Sequence, residues 1–299
     1  MKPILMALPG AEQFAGRLRD SLDCEVGQLL LHHFPDGETC PQLLPAVAGR
    51  DVVLVGALEQ PDQKIMALYL SACVARELGA RSVGLVAPYL PYMRQDAVFA
   101  PGQGVTSRHF ARLLSGCCDW VVTVDPHLHR YHSLSELYGI ATEVVPAAPA
   151  IAQWIAAHVA RPVLVGPDQE SEQWVAQVAA AVGCPYTVLS KVRSGDRAVA
   201  VSLPPADVLA DHTPVLLDDI VSTARTMIAA VLQLKAAGCA APVCVGVHAL
   251  FAGSAYAELK AAGAGRIVSC DTVQHASNQI GIAAPLAAAV TRMLAAGAG

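Results

Sequence analysis

Short, continuous apolar runs rich in valine and leucine recur along this chain, separated by longer stretches with helical spacing. That alternation admits few folds. Residues 51–56, 82–87 and 120–125 read as strands in the first half, and 162–166, 214–217, 243–247 and 267–269 in the second. Residues 61–79, 105–116, 171–183, 223–238 and 254–263 carry helical patterns, several closed by glycine. A strand without a polar alternate face is buried on both sides, so the pattern predicts α/β architecture with mostly parallel sheets flanked by helices.

The strand and helix sets are about equal on either side of Val144-Val145-Pro146-Ala147-Ala148-Pro149, where two prolines mark a connection. The expectation is two similar α/β domains, residues 1–145 and 146–280. The apolar helical stretch within 281–299 is expected to join the first. Charged residues are only 15% of the chain and aromatics 5%, so alanine, valine and leucine must fill the cores. A net charge of −5 with no basic run argues against a nucleic-acid surface. No apolar run reaches membrane-spanning length, and residues 1–9 read as a first strand rather than a leader, so no membrane partner is expected. The 9 cysteines form no C-x-x-C pair and read as buried thiols of a cytoplasmic protein.

Chemistry concentrates in Val215-Leu216-Leu217-Asp218-Asp219-Ile220-Val221-Ser222-Thr223-Ala224-Arg225-Thr226. An apolar strand ends in two aspartates, and a hydroxyl-bearing loop then opens a helix. In open α/β sheets ligands bind at the carboxyl ends of strands, and a helix N-terminus offers N–H groups to a phosphate. The aspartates suit sugar hydroxyls or a metal; an ordinary capped helix is the plain alternative.

This segment resembles the phosphoribosyl-binding loop of phosphoribosyltransferase-fold proteins. With four further motifs in order, the chain resembles the ribose-phosphate pyrophosphokinases nearly end to end. The further motifs begin with His33-Phe34-Pro35-Asp36-Gly37-Glu38, by itself turn chemistry. They continue with Pro88-Tyr89-Leu90-Pro91-Tyr92-Met93-Arg94-Gln95-Asp96, Thr123-Val124-Asp125-Pro126-His127-Leu128-His129, Val165-Gly166-Pro167-Asp168 and Lys191-Val192-Arg193.

The resemblance implies two phosphoribosyltransferase-like domains and transfer of diphosphate from MgATP to the 1-hydroxyl of ribose 5-phosphate. It implies that Phe34, Asp36, Glu38, Arg94, Gln95 and Asp96 bind ATP. His127 and Asp168 would hold Mg2+. Lys191 and Arg193, on a mobile loop, would be catalytic. Asp218, Asp219, Ser222, Thr223, Ala224, Arg225 and Thr226 would bind ribose 5-phosphate. It also implies a homodimer or larger homo-oligomer with the ATP site shared between subunits. The 191–218 segment and the Asp125-Pro126-His127 form look closest to the shorter, archaeal-type branch.

The chain departs from the family in two places. Ala224 and Arg225 stand where the family's phosphate loop has two glycines, and Gln169-Glu170 follow Asp168 where glycines are usual. Arg225 would add a charge beside the sugar phosphate, and glycine's conformational freedom is lost at Ala224. These departures keep two other readings in play, a weakly active or scaffold member and an enzyme for a related sugar phosphate. A phosphoribosyltransferase acting on a base would leave Phe34 and the Arg94-Gln95-Asp96 segment unused.

Overall fold

A computed structural model describes residues 1–194, 198–202 and 211–297, with the side chains of residues 170, 173, 190–194 and 198–202 left outside the description. The chain divides into two compact units, Met1–Val145 with Ala283–Gly299, and Pro146–Ile282.

The first unit is built on six strands: β1 (Ile4–Ala7), β2 (Glu25–Val26), β5 (Asp51–Val55), β6 (Ser82–Ala87), β7 (Trp120–Val124) and β8 (Ala141–Val145). They pair in the order β2-β1-β5-β6-β7-β8, all parallel. Strands β3 (Gln28–His33) and β4 (Thr39–Leu44) form a separate antiparallel hairpin. Helices α1 (Glu12–Arg19), α2 (Ile65–Glu77) and α3 (Thr106–Cys117) connect the strands.

Every residue of β5 and β7 is buried, as the unbroken apolar runs require. The period of two divides them between faces. Val52 and Leu54 join a core with Leu68, Ala72 and Ala75 of α2 and Phe110, Ala111 and Leu114 of α3. Val53 and Val55, equally buried, point to the other face. The last helix of the chain, Ala283–Ala296, packs against α1, β7 and β8, and Arg292 pairs with Glu143 of β8. At the start of β5, Asp51 accepts hydrogen bonds from the Arg81 guanidinium and the Ser82 hydroxyl.

In the second unit β9 (Pro162–Gly166), β10 (Tyr186–Val188), β13 (Thr213–Val221), β14 (Val243–Ala249), β15 (Arg266–Cys270) and β16 (Asn278–Ile280) pair in the order β10-β9-β13-β14-β15-β16. This sheet is also wholly parallel. Strands β11 (Ser190–Ser194) and β12 (Ala198–Ser202) form a second antiparallel pair. Helices α4 (Ala148–His158), α5 (Glu172–Val182), α6 (Arg225–Ala236) and α7 (Ala255–Ala262) complete the unit, and α8 is Ala283–Ala296 of the first. Met227, Ala230, Val231 and Leu234 of α6 close the core over Val163, Val165 and Leu216.

Three sequence expectations change in detail. The boundary between the units falls at Val145/Pro146, and the connection expected over 144–149 passes at Ala148 into helix α4. Pro149 lies in the first turn of α4, where its missing N–H costs nothing. The strand expected over 214–217 runs to Val221, because β14 pairs with it at Asp218↔Gly246 and Ile220↔His248. Cys40 is exposed, although Cys117, Cys118, Cys244 and Cys270 are buried as expected.

Candidate functional site

In both parallel sheets sequence motifs follow the carboxyl ends of strands: β6 and β7 in the first unit, β9 and β13 in the second. In the second unit β13 carries Asp218 and Asp219 in its last turn of pleat, both half-buried. Asp168 follows β9, the neighbouring strand, and its Oδ1 accepts a hydrogen bond from the Ser171 backbone N–H at 3.2 Å. It thereby caps the 3-10 turn Gln169–Ser171 that leads into α5. Desolvation, then the charge and hydrogen bond of Asp219, then the charge of Asp168, hold the Asp218 carboxyl well above the ordinary carboxylate range. Asp219 and Asp168 lie close enough to Asp218 to act on its charge, and their carboxylate oxygens are the donors that a hard divalent ion takes, so these residues fit magnesium.

Beyond Val221 the chain turns through Ser222 and Thr223 into Ala224, the residue that precedes α6. Ala224 has φ 54° and ψ 9°, the left-handed conformation that glycine adopts without penalty. The backbone thus has the conformation that glycine favours at this point, although the residue is alanine. The start of α6 has no side-chain cap, so its first N–H groups remain available to an anion. Arg225 and Thr226 are exposed, Ser222 is half-buried and Thr223 exposed. Among the described residues the Arg225 guanidinium makes no hydrogen bond or ion pair. The turn after β14 braces the loop from behind: Phe251 N–H donates to the Val221 carbonyl at 2.9 Å and Ala252 N–H to the Ser222 carbonyl at 3.0 Å.

A feature absent from the sequence reading sits behind that brace. Phe251, Tyr256 and His275 form a three-ring cluster with centroid separations of 5.2, 4.6 and 4.9 Å. Burial lowers the His275 pKa below its ordinary value. The rings come from three separate segments, so no local pattern could announce them.

In the first unit the 88–96 loop leaves β6. Met93 and Asp96 are buried while Arg94 and Gln95 are exposed. Tyr92, at φ 63°, packs on Phe110 and donates its hydroxyl to Asp62. Its phenol is pushed up to about 12 by desolvation, then by the Asp62 bond and charge. Asp96 pairs with Arg130 at 3.5 Å, which ties this loop to the segment after β7 that carries His127. His127 is half-buried, and its ring stacks on that of His129. The hairpin tip carries Phe34, 44% exposed, edge-on to His32 at 4.5 Å. Asp36 accepts from the Glu38 N–H, and Gly37 takes φ 93° to close the turn. Lys191 and Arg193 lie on β11, and their side chains fall outside the described residues, as does that of Glu170.

Family models match both units. The N-terminal domain of ribose phosphate pyrophosphokinase matches residues 4–117, and the phosphoribosyl transferase domain matches residues 141–285. The ribose-phosphate pyrophosphokinase of Methanopyrus kandleri is 31% identical over 294 residues, 97% of this chain and 99% of that protein. The chain belongs to the ribose-phosphate pyrophosphokinase family. The family member from Halobacterium salinarum is 32% identical over 289 residues, 96% of this chain and 100% of its own. A phosphoribosylpyrophosphate synthetase structure from Mycobacterium smegmatis superposes with a TM-score of 0.86 at 21% identity. It covers 99% of this chain and 100% of that one, and shares the fold with this member of the family.

Proposed function

We propose that this protein is a ribose-phosphate diphosphokinase, transferring the β,γ-diphosphoryl group of MgATP to the 1-hydroxyl of ribose 5-phosphate. The observation that carries the reading is the end of β13: two aspartates, a hydroxyl loop, and an uncapped helix start held open by the left-handed Ala224. That arrangement offers carboxylates to the ribose hydroxyls and N–H groups to the 5-phosphate within the nine consecutive residues from Asp218 to Thr226.

In the reaction the ribose 1-oxygen bonds to the β-phosphorus, the bond from that phosphorus to the bridging oxygen breaks, and AMP leaves with the bridging oxygen. The hydroxyl proton passes to solvent. Little covalent chemistry falls to the protein, so positioning and charge stabilisation carry the rate. Asp218 and Asp219 orient the ribose, with Ser222, Thr223, Ala224, Arg225 and Thr226 around its phosphate. Arg94 and Gln95 serve ATP phosphates from the first unit, where the guanidinium fork suits phosphate oxygens. Asp96, buried against Arg130, acts there mainly by holding the loop. Phe34 stacks on adenine, with Asp36 and Glu38 beside it. Lys191 and Arg193 neutralise charge on the transferring group.

Magnesium, when bound, neutralises the phosphates. Its candidate ligands are Asp168 in the second unit and His127 in the first. The exposed apolar side chains of the β3–β4 hairpin, Leu30, Phe34 and Leu44, favour a homo-oligomer in which this hairpin reaches a neighbour's ATP. A cytoplasmic location accords with the free cysteines, and no helix among the described residues is long and apolar enough to cross a membrane. The left-handed backbone at Ala224 favours an active loop over a scaffold role.

The test is AMP release and phosphoribosyl pyrophosphate formation from MgATP and ribose 5-phosphate, with Lys191→Ala as control. Equal amounts of both products, lost in the variant, are expected. Absence of AMP across magnesium and phosphate concentrations would sink the assignment.

A further inference from the structure

The loop after β13 is held from outside by the turn after β14, where Phe251 and Ala252 donate their N–H groups to the Val221 and Ser222 carbonyls. Two residues of that turn have left-handed backbone. Gly253 takes φ 60° and Phe251 takes φ 36°. Glycine adopts this region freely, but for a bulky side chain it is an outlier that persists only where the surroundings impose it.

The surroundings of Phe251 are two further rings. Its own ring lies 4.6 Å from that of His275 with 34° between planes, and it meets Tyr256 edge-on at 5.2 Å. Tyr256 and His275 close the triangle at 4.9 Å. Edge-to-face and offset contacts are the attractive arrangements of aromatic rings. Phe251 and Tyr256 also pack on the core of the second unit, and Tyr256 sits in the first turn of α7. His275 lies between β15 and β16 and is fixed by its backbone: its N–H donates to Asn278 Oδ1 at 2.8 Å, and Asn278 Nδ2 donates to the Cys270 carbonyl at 2.8 Å. The imidazole is fixed as well, because its Nδ1 accepts the Ser277 N–H at 3.1 Å. An accepting Nδ1 carries no proton, and burial, which lowers the His275 pKa, favours that neutral form.

We propose that Phe251, Tyr256 and His275 are positioning residues for the sugar phosphate: their interlocked rings hold the left-handed turn at Phe251, and the two N–H groups of that turn fix Val221 and Ser222 where the phosphate loop begins. They act through the loop's backbone and not by contact with the ligand. The proposal rests on the diphosphokinase reading only in taking residues 222–226 as the sugar-phosphate loop.

Two substitutions at one position separate turn strain from lost packing. Phe251→Ala and Phe251→Gly both remove the ring, but glycine adopts the left-handed turn without penalty and alanine does not. Were the ring mere packing, glycine would be the worse replacement, since it adds backbone freedom. Hydrogen–deuterium exchange on the full-length protein reads the Phe251 and Ala252 amides, and calorimetry reads the affinity for ribose 5-phosphate. Exchange at these amides should speed up about tenfold in Phe251→Ala and clearly less in Phe251→Gly. Affinity should fall about fivefold in Phe251→Ala and partly recover in Phe251→Gly. In steady-state kinetics the KM for ribose 5-phosphate should follow the affinity, while kcat and the KM for ATP change less than about twofold. His275→Phe, which keeps a ring, should stay closer to wild type than His275→Ala, and this second pair carries the comparison if Phe251→Ala does not fold. Unchanged exchange at residues 251–252 in Phe251→Ala, or a glycine variant no better than the alanine one, overturns the proposal. A wild type that releases no AMP removes the diphosphokinase reading, and the exchange rates still decide whether the rings hold the turn.

Discussion

Replacing Asp218 with asparagine tests the electrostatics of the second unit directly. In the folded protein, desolvation and the neighbouring carboxylates Asp219 and Asp168 raise the Asp218 pKa well above that of the unfolded chain. Between the two pKa values the folded state holds a proton that the unfolded state has released. Stability therefore falls as pH rises through that window, and above it the full cost remains. Each pH unit of separation costs about 1.4 kcal/mol. A domain of this size shifts its midpoint by roughly 2–4 °C per kcal/mol, so each unit corresponds to roughly 3–6 °C.

Asp218→Asn keeps the shape and removes the titration. At pH 8 its midpoint without metal should lie above wild type by several degrees, and the difference should shrink toward zero as pH approaches 4. Magnesium, with Asp168 and His127 as its candidate ligands, should stabilise both proteins, since an ion at a hundred times its dissociation constant adds about 2.7 kcal/mol to the state that binds it. Losing a charge-assisted bond to a sugar hydroxyl costs about 1.5–3 kcal/mol, so kcat/KM for ribose 5-phosphate should drop roughly 10- to 150-fold. Differential scanning fluorimetry from pH 4 to 8, with and without magnesium, checks the first part and steady-state kinetics the second. A midpoint equal to or below wild type at pH 8, unchanged by pH, would refute the electrostatic reasoning.

Two more perturbations separate site from scaffold. Arg225→Ala should raise the KM for ribose 5-phosphate about tenfold while leaving the KM for ATP unchanged, the loss of one charge-assisted phosphate contact. Its stability should hold or rise slightly, because a cation at a helix N-terminus opposes the dipole; an unaltered KM would remove Arg225 from the phosphate contact. Gly84→Ala should be severely destabilising, because a Cβ there would lie 2.0 Å from the Trp120 ring across the β6–β7 pair. Overpacking of this kind costs about 3 kcal/mol, and a chemical-denaturation difference under about 0.5 kcal/mol would contradict the packing described.

The α/β class and the parallel sheets were legible because a strand covered on both faces must be apolar throughout, as 51–55, 82–87 and 120–124 are. The helix Ala283–Ala296 was likewise legible as an apolar element seeking a surface. Elements whose local chemistry opposes their state were harder to read. Asp218 and Asp219 read as the end of a strand because aspartate disfavours strands, yet the ladder to Gly246 and His248 carries the strand on to Val221. Helix α4 was hidden by the prolines at 146 and 149, since one proline in a first turn looks the same in sequence as a proline that breaks a helix.

The candidate residues themselves rest on motif resemblance, which names positions but not their partners. Asp96, expected at ATP, is buried against Arg130, and that contact joins residues thirty-four apart in sequence. The unusual Ala224 looked in sequence like a lost glycine, and only the folded structure shows its backbone in the conformation that glycine favours. By itself, the sequence determined the alternation of elements, the family, and the placing of acidic and hydroxyl residues after a strand. Those depend on near neighbours along the chain and on the burial pattern of each element. Tertiary structure decided the length of β13, the shift at Asp218, the Phe251–Tyr256–His275 cluster and the stacking of His127 on His129. Each of these depends on the distance between groups that the chain brings together only on folding, and Coulomb, desolvation and packing energies are set by that distance.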